Sequence, residues 1–456
     1  MPSACKLAAM AAAALCAVTA GCTTGKPGSD QTPSPSTQSS TPPVSGPATL
    51  RFAVYGDRAV VAAYTDLAEA FTRKNPRVKI KVEQAPDAAS ATNELAEEFA
   101  TSNAPDVFLT AQEQLPGLLA EGRVQPVDVL LEERGVDFGD GYQRDGLEAF
   151  SAEAALQCMP ADVSPLVVYY NKDVFDPRSL VEEEGDEPPN AREGWSWEEF
   201  ATAARRIARH RAAGVHIEPD LEALAPFIWS AGGDIVDDLE FPTSLTMSAG
   251  DTRGAVEEVL ALVRAPGVTP TAEELARQGP LTRFSQGKLG MILGTRALVP
   301  ELRAFRGLDF EAFPLPSLGG FRTISSITGY CMSSGTEHVK AAADFITFAV
   351  GREGATITSQ SGHVVPSNVE VLHSPAFTQP GRQPANAFLF SQGVRRANET
   401  PFVAEWPQVL SQTRPLLKRM FYAPVIDLES MLAQIDARSQ VLLAPEEESD
   451  GEPEEE

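Results

Sequence analysis

PADVSPLVVYYNKDVF, residues 160–175, is the stretch whose reading decides the fold. It sets a polar Asp162 ahead of an unbroken apolar run, Leu166, Val167, Val168, Tyr169 and Tyr170. Aliphatic, β-branched and aromatic side chains without interruption describe a buried strand. Asn171, Lys172 and Asp173 punctuate it, and a short helix-like segment follows. Taken alone, the stretch is a core strand leaving a crevice, with no reaction attached.

Working back towards the N-terminus, residues 49–55 (TLRFAVY) read as a first strand, with Gly56, Asp57 and Arg58 as the turn after it. Residues 62–75 place Leu67, Ala70 and Phe71 at helical spacing, and Pro76 stops that helix. VKIKVE, residues 78–83, alternates as a half-exposed strand. A helix is expected over 94–101, and Pro105-Asp106 introduces the short buried strand Val107-Phe108-Leu109. This βαβαβ order implies parallel strands joined by right-handed crossovers.

The ends of the chain are of another kind. Lys6 precedes an apolar run over 7–18, then Thr19, Ala20, Gly21 and Cys22. That is a signal-peptide core, too short to span a bilayer as a mature helix. Its Ala-Gly-Cys end resembles a bacterial lipobox, which would make Cys22 the lipid-anchored first residue; Thr19 departs from the usual Leu. Residues 23–48 are almost wholly Ser, Thr, Pro and Gly, a linker that cannot bury enough apolar surface to order itself. Residues 446–456 carry eight acidic groups and no apolar side chain, a solvated tail. Between these ends lie about 400 residues, enough for two lobes with their own cores.

The formal net charge of −26 argues against nucleic acid and against a polybasic membrane patch. Of five cysteines, Cys5 and Cys16 fall in the leader, so only Cys158 and Cys331 remain in the body beside Cys22. Neither metal-type spacing nor a cofactor motif is present. GxSxG, HExxH and CxxC are absent, and Gly287-Lys288 lacks the spaced glycine of a phosphate loop. His210, His216, His338, His363 and His373 are scattered. No catalytic residue is assigned, although a glycosidase pair would need only two carboxylates roughly 5–10 Å apart across a sugar.

Six blocks in order carry a family resemblance: AFTRKNPRVKIKVE (70–83) with APDVFLTAQEQLPGLLAEGRVQPVD (104–128), the opening stretch with its Tyr-Asn-Lys-Asp turn, GWSWEEFATAARRIA (194–208), PFIWSAGGDIVDD (226–238), FSQGKLGMIL with FPLPS (284–293 and 313–317), and GYCMSSGTEHVKAAADFITFAVGREG with VVPSN (329–354 and 364–368). Within the third, Ser196 and Glu199 have the spacing of a capping box. Each motif is degenerate, but the order and spacing resemble the family 1 extracellular solute-binding proteins of ABC importers, most of which bind sugars. The resemblance implies a two-lobe α/β fold of the periplasmic-binding-protein type II, hinged, with mixed or parallel sheets flanked by helices. Lobe one would comprise 49–161 and 329–363, lobe two 162–328 and 364–444, joined near 161–165, 325–329 and 364–367. It implies a carbohydrate ligand, no cofactor, a monomer on the outer face of the cell membrane, and delivery to a membrane permease. A polysaccharide hydrolase, or a receptor presenting ligand to a membrane sensor, would be the alternatives.

Candidate ligand residues follow from two sources. Ligands in open α/β sheets sit beyond the carboxyl ends of strands, which nominates Asp57 and Arg58 after the first strand and Thr110, Gln112 and Glu113 after the third. Asp162 lies at the expected first crossing and Tyr170 ends its strand. Trp229 precedes Gly233, and its indole is either a sugar platform or core. Gly329 and Tyr330 resemble the family's glycine-bearing crossing back into the first lobe. Where many sugar-binding relatives carry a small residue and then Trp, this chain has Thr295 and Arg296. Arg296 either faces the cleft, gripping an acidic or multiply hydroxylated ligand, or pairs with a local acid. Cys158 and Cys331 are expected on neighbouring strands, with the disulfide left open.

Overall fold

The computed structural model describes residues 47–181, 187–210 and 212–444. The leader, Cys22, the linker up to residue 46 and the acidic tail lie outside the described residues.

Twelve strands are found among the described residues: β1 (Ala48–Tyr55), β2 (Val78–Ala85), β3 (Val107–Ala111), β4 (Val124–Gln125), β5 (Ser151–Ala152), β6 (Ala155–Leu156), β7 (Cys158–Pro165), β8 (Val167–Asn171), β9 (Ala213–His216), β10 (Leu289–Gly294), β11 (Phe310–Phe313) and β12 (Ser325–Ser333). They form two main sheets and a small β5–β6 hairpin. The first sheet runs β2-β1-β3-β12-β4, with β7 also paired to β12. β1 is parallel to β2 and β3, as the βαβαβ order implied, while β12 runs antiparallel to β3. The second sheet runs β11-β8-β10-β9, mixed in direction.

The opening stretch turns out to hold two strands in two different sheets. β7 belongs to the first sheet and β8 to the second, with Leu166 alone between them. The apolar run of β8 has no alternation because both its faces are covered. Val168 and Tyr170 enter one core, with Phe200, Val215 and Trp229, and Val167 and Tyr169 enter another, with Phe284, Leu302 and Phe390. The first sheet has its own core, in which Phe52, Tyr64, Phe71, Tyr330 and Phe345 pack edge-on or tilted. The Ser196–Glu199 capping box forms at the start of the helix Trp197–Arg209, which Gly214 of β9 lets lie close, since a Cβ there would clash with Ala204 O.

β7 and β12 are paired antiparallel from Cys158 opposite Cys331 to Pro165 opposite Ser325, with a bulge between Thr328 and Gly329. The two cysteines form a disulfide, with Cα atoms 4.4 Å apart and no exposure. A third segment joins this ribbon: Val163 donates to Val365 O at 3.0 Å, and Ser367 donates to Ala161 O at 3.2 Å. The region from 367 to 443 is helical in five pieces, with residues 395–405 forming an irregular stretch between the third and the fourth.

Candidate functional site

Beyond the carboxyl ends of β3, β9 and β10 the chain leaves a cleft of two connected chambers. The inner chamber holds about 260 Å3 and the outer about 530 Å3. Gln112, Glu113, Ser325 and Thr400 line both. Gln112 and Glu113 stand on the short 3-10 turn that follows β3. From the second sheet come Thr295, after β10, and Glu218, Asp220 and Glu222, after β9. Asp220 is the N-cap of the helix Leu221–Ser230, accepting Ala223 N at 2.9 Å, so its carboxylate is fixed at the helix's positive end. The irregular stretch 395–405 and the next helix close the cleft with Asn398, Thr400, Phe402 and Trp406. Gln112 donates through Nε2 to Thr400 Oγ1 at 3.1 Å, a contact spanning 288 residues.

The electrostatics of the inner chamber are one-sided. Burial and the charge of Glu113 push Glu222 up to about 7, and burial likewise raises Glu113. Glu218 is lowered instead, by a hydrogen bond with His216 Nε2 at 3.0 Å. Among the described residues no group of three or more His, Cys, Asp or Glu side chains could hold a metal ion.

Of the residues nominated from sequence, Gln112 and Glu113 line the cleft. Others do not. Asp57 is engaged as a helix cap, accepting Ala59 N and Val60 N at 2.8 and 2.9 Å, and neither it nor Arg58 lines a chamber. Thr110 is buried within β3. Asp162 is buried in the ribbon, where Oδ1 accepts Val365 N. Tyr170 packs between Phe175 and Phe313, with ring centroids 5.8 and 5.4 Å away, because the helices over β8 claim that face. Trp229 lies in the same core, its Nε1 donating to Asp234 Oδ1 at 3.2 Å. A Cβ on Gly233 would meet the backbone of Thr252 at 2.7 Å, so this glycine admits a helix and not a ligand. Gly329 in the same way admits the ring of Phe150 at 2.8 Å, and Tyr330 is buried against Phe52 and Tyr64.

Arg296 departs furthest from the cleft-facing expectation. It is fully buried, with its guanidinium between Phe377 and Phe390 at 4.4 and 5.0 Å. Its Nε and Nη2 donate to Gly362 O at 3.2 Å and Phe377 O at 2.8 Å. A planar cation is suited to that slot, with rings on both faces and carbonyls at its edge. Among the described residues it pairs with no acid in an ion-pair geometry either, and its work is structural.

The sequence reading missed the acids at 218–222 and the polar–aromatic group at 398–406. HIEPDLE, residues 216–222, and ETPFVAEWP, residues 399–407, did carry a signal: each clusters acids or aromatics with proline immediately before a helix.

Comparison with known proteins places this geometry. Residues 66–385 match the model of the bacterial extracellular solute-binding proteins, well over half of the chain. The chain belongs to that family. No curated protein matches this solute-binding protein. Its fold is shared with solved structures of low identity. An ABC substrate-binding protein from Listeria monocytogenes, in complex with cycloalternan, has 19% identity and a TM-score of 0.76, covering 86% of this chain and 98% of its own. The GacH receptor of Streptomyces glaucescens, studied unliganded and with acarbose, has 20% identity and a TM-score of 0.73, covering 87% and 98%. The sugar-binding protein MalE of Xanthomonas citri has 19% identity and a TM-score of 0.73, covering 87% and 97%. The two-lobe, type II architecture expected from the sequence is that of these proteins.

Proposed function

We propose that this solute-binding protein captures a sugar or oligosaccharide outside the cell and delivers it to the permease of an ABC importer. The observation that carries the reading is the cleft itself. Polar side chains of Gln112 and Glu113 from the first sheet face Thr295, Asp220 and Glu222 from the second. Its two chambers give room for more than one sugar ring, and Phe402, 44% exposed, offers a ring face to stack on. The named structural neighbours, solved with cycloalternan and acarbose, support a saccharide ligand.

The lobes are taken as 49–161 with 329–363, and 162–328 with 364–444, so that β7, β12 and residues 364–367 form the hinge. A ligand touching both lobes favours the closed form in proportion to its better fit there. Lipid on Cys22 and the linker after it would hold a monomer to the outer face of the membrane, clear of the surface. In this reading the protein binds and releases its sugar unchanged, without a cofactor.

The test is calorimetric titration and thermal melting with neutral and charged oligosaccharides. A bound sugar at a hundredfold excess over its Kd adds about 2.7 kcal/mol to stability by mass action. Binding should leave the sugar intact, with no new reducing ends. Failure of every saccharide to bind or to raise the melting temperature would remove the sugar reading, and cleavage would turn it into a hydrolase.

A further inference from the structure

All the charged side chains lining the inner chamber are acidic: Glu113, Glu218, Asp220 and Glu222. Two are already engaged within the protein. Asp220 caps its helix and takes Arg414 Nη2 at 2.7 Å, and Glu218 holds His216. Glu113 and Glu222 have no ion-pair partner among the described residues, and the charge of Glu113 raises the cost of ionising Glu222.

Two further groups in the same place are unanswered. Ser325 is only 8% exposed, lines both chambers, and its Oγ has no hydrogen-bond partner among the described residues. Gln112 Oε1 is likewise buried and unpartnered, while its amide nitrogen serves Thr400. Buried polar atoms without partners are costly, so the site is built for something that supplies donors. Neutral hydroxyls would answer the amide oxygen and the serine. They would not supply a charge of opposite sign to the two carboxylates.

The counter-charge is organic. A bare metal ion is a poor occupant, because the described acids do not converge as a ligand set. A larger ligand can carry a cation on one ring and place its other rings in the outer chamber. There Phe402 presents a face, and Asp145, Glu148 and Glu399 outnumber Arg395.

We infer that the cleft selects an amino sugar, an oligosaccharide whose protonated amine sits between Glu113 and Glu222 while its hydroxyls meet Gln112 Oε1 and Ser325 Oγ. This rests on the reading of the cleft as a saccharide site. Asp220, Glu218, His216, Arg414 and Lys418 are the other charged or titratable groups that bear on the pair. Arg414 is held by Asp220 and does not neutralise Glu222, which still titrates at about 7. An arriving ammonium therefore displaces a proton from the protein near neutral pH.

The experiment compares three series of two to four units by calorimetric titration at pH 7: glucosamine oligomers, their N-acetylated counterparts of the same linkage, and maltooligosaccharides. Each is run in two buffers of different ionisation enthalpy. The glucosamine series should bind at least tenfold more tightly than either neutral series, with net proton release. Glu113→Gln and Glu222→Gln should each erode that preference at least tenfold. Raising NaCl from 50 to 500 mM should weaken the amine series alone, a readout that needs no variant. Neutral sugars binding as tightly as glucosamine oligomers, or better, would overturn the amine assignment and leave the sugar reading standing. No binding by any of the three series would overturn both.

Discussion

Replacing both members of the Cys158–Cys331 disulfide by alanine removes a cross-link that spans 173 residues of sequence. In the chain-entropy account, closing a loop of that length removes roughly 17 cal/mol/K from the unfolded ensemble, or about 5 kcal/mol at room temperature. Both cysteines are fully buried, so the lost sulfur packing adds to the deficit. For a body of about 400 residues the unfolding entropy is about 0.8 kcal/mol/K, so the melting temperature should fall by about 6 °C. The double variant avoids a lone thiol in the core. Scanning calorimetry and urea unfolding read the change, and thiol titration of the wild type in denaturant, before and after reduction, counts the bond directly. Saccharide affinity should stay within twofold, because the pair lies at the far end of the ribbon from Ser325 and the cleft. A shift below 1 °C, or two free thiols in the unreduced protein, would refute the reasoning.

Two further outcomes follow from buried charges. Arg296→Ala should cost about 3–5 kcal/mol of stability, since it empties the slot between two rings and leaves the carbonyls of Gly362 and Phe377 unanswered, while affinity in the folded fraction is unchanged; urea midpoints and titration separate the two effects, and a loss of affinity at full stability would return Arg296 to the cleft. Burial holds Asp162 up at about 7, so the folded state binds the extra proton and stability falls as pH rises from about 4 to 7; Asp162→Asn should match wild type in melting temperature near pH 4 and exceed it at pH 8, and a constant offset across that range would contradict the assignment.

How much of this could be read beforehand depended on where each residue's environment was decided. β8 was legible because a strand covered on both faces keeps only apolar side chains, and that leaves a contiguous run. β7 was legible at one end only, where Cys158 was expected on a strand beside Cys331, and its full run along β12 was not. It carries Pro160, Asp162, Ser164 and Pro165, and its pairing comes from β12, more than 150 residues away. Gln112 and Glu113 were found because the rule about carboxyl ends of strands is topological and needs no side-chain direction. Tyr170 was misplaced, and Trp229 left between platform and core, because that rule cannot say which way an aromatic points once helices lie on both sides of the sheet. The cleft's other wall depends on loops, 218–222 and 395–405, that meet Gln112 only after both sheets exist. Their composition gave a hint, but the meeting is tertiary.

The place of β12 in the first sheet sets an order of assembly. β8 to β11 are contiguous, so the second sheet has all its strands once residue 313 has emerged from the ribosome or the export channel. The first sheet, although it contains the chain's earliest strands, is joined to β4 and β7 only through β12, at residues 325–333. Until then β3 presents an open edge flanked by a strand pair rich in Phe and Val, the kind of template that recruits the wrong neighbour. The sheet begun first is thus completed last, and its edge at β3 stays open between the emergence of Val107 and that of Ser333.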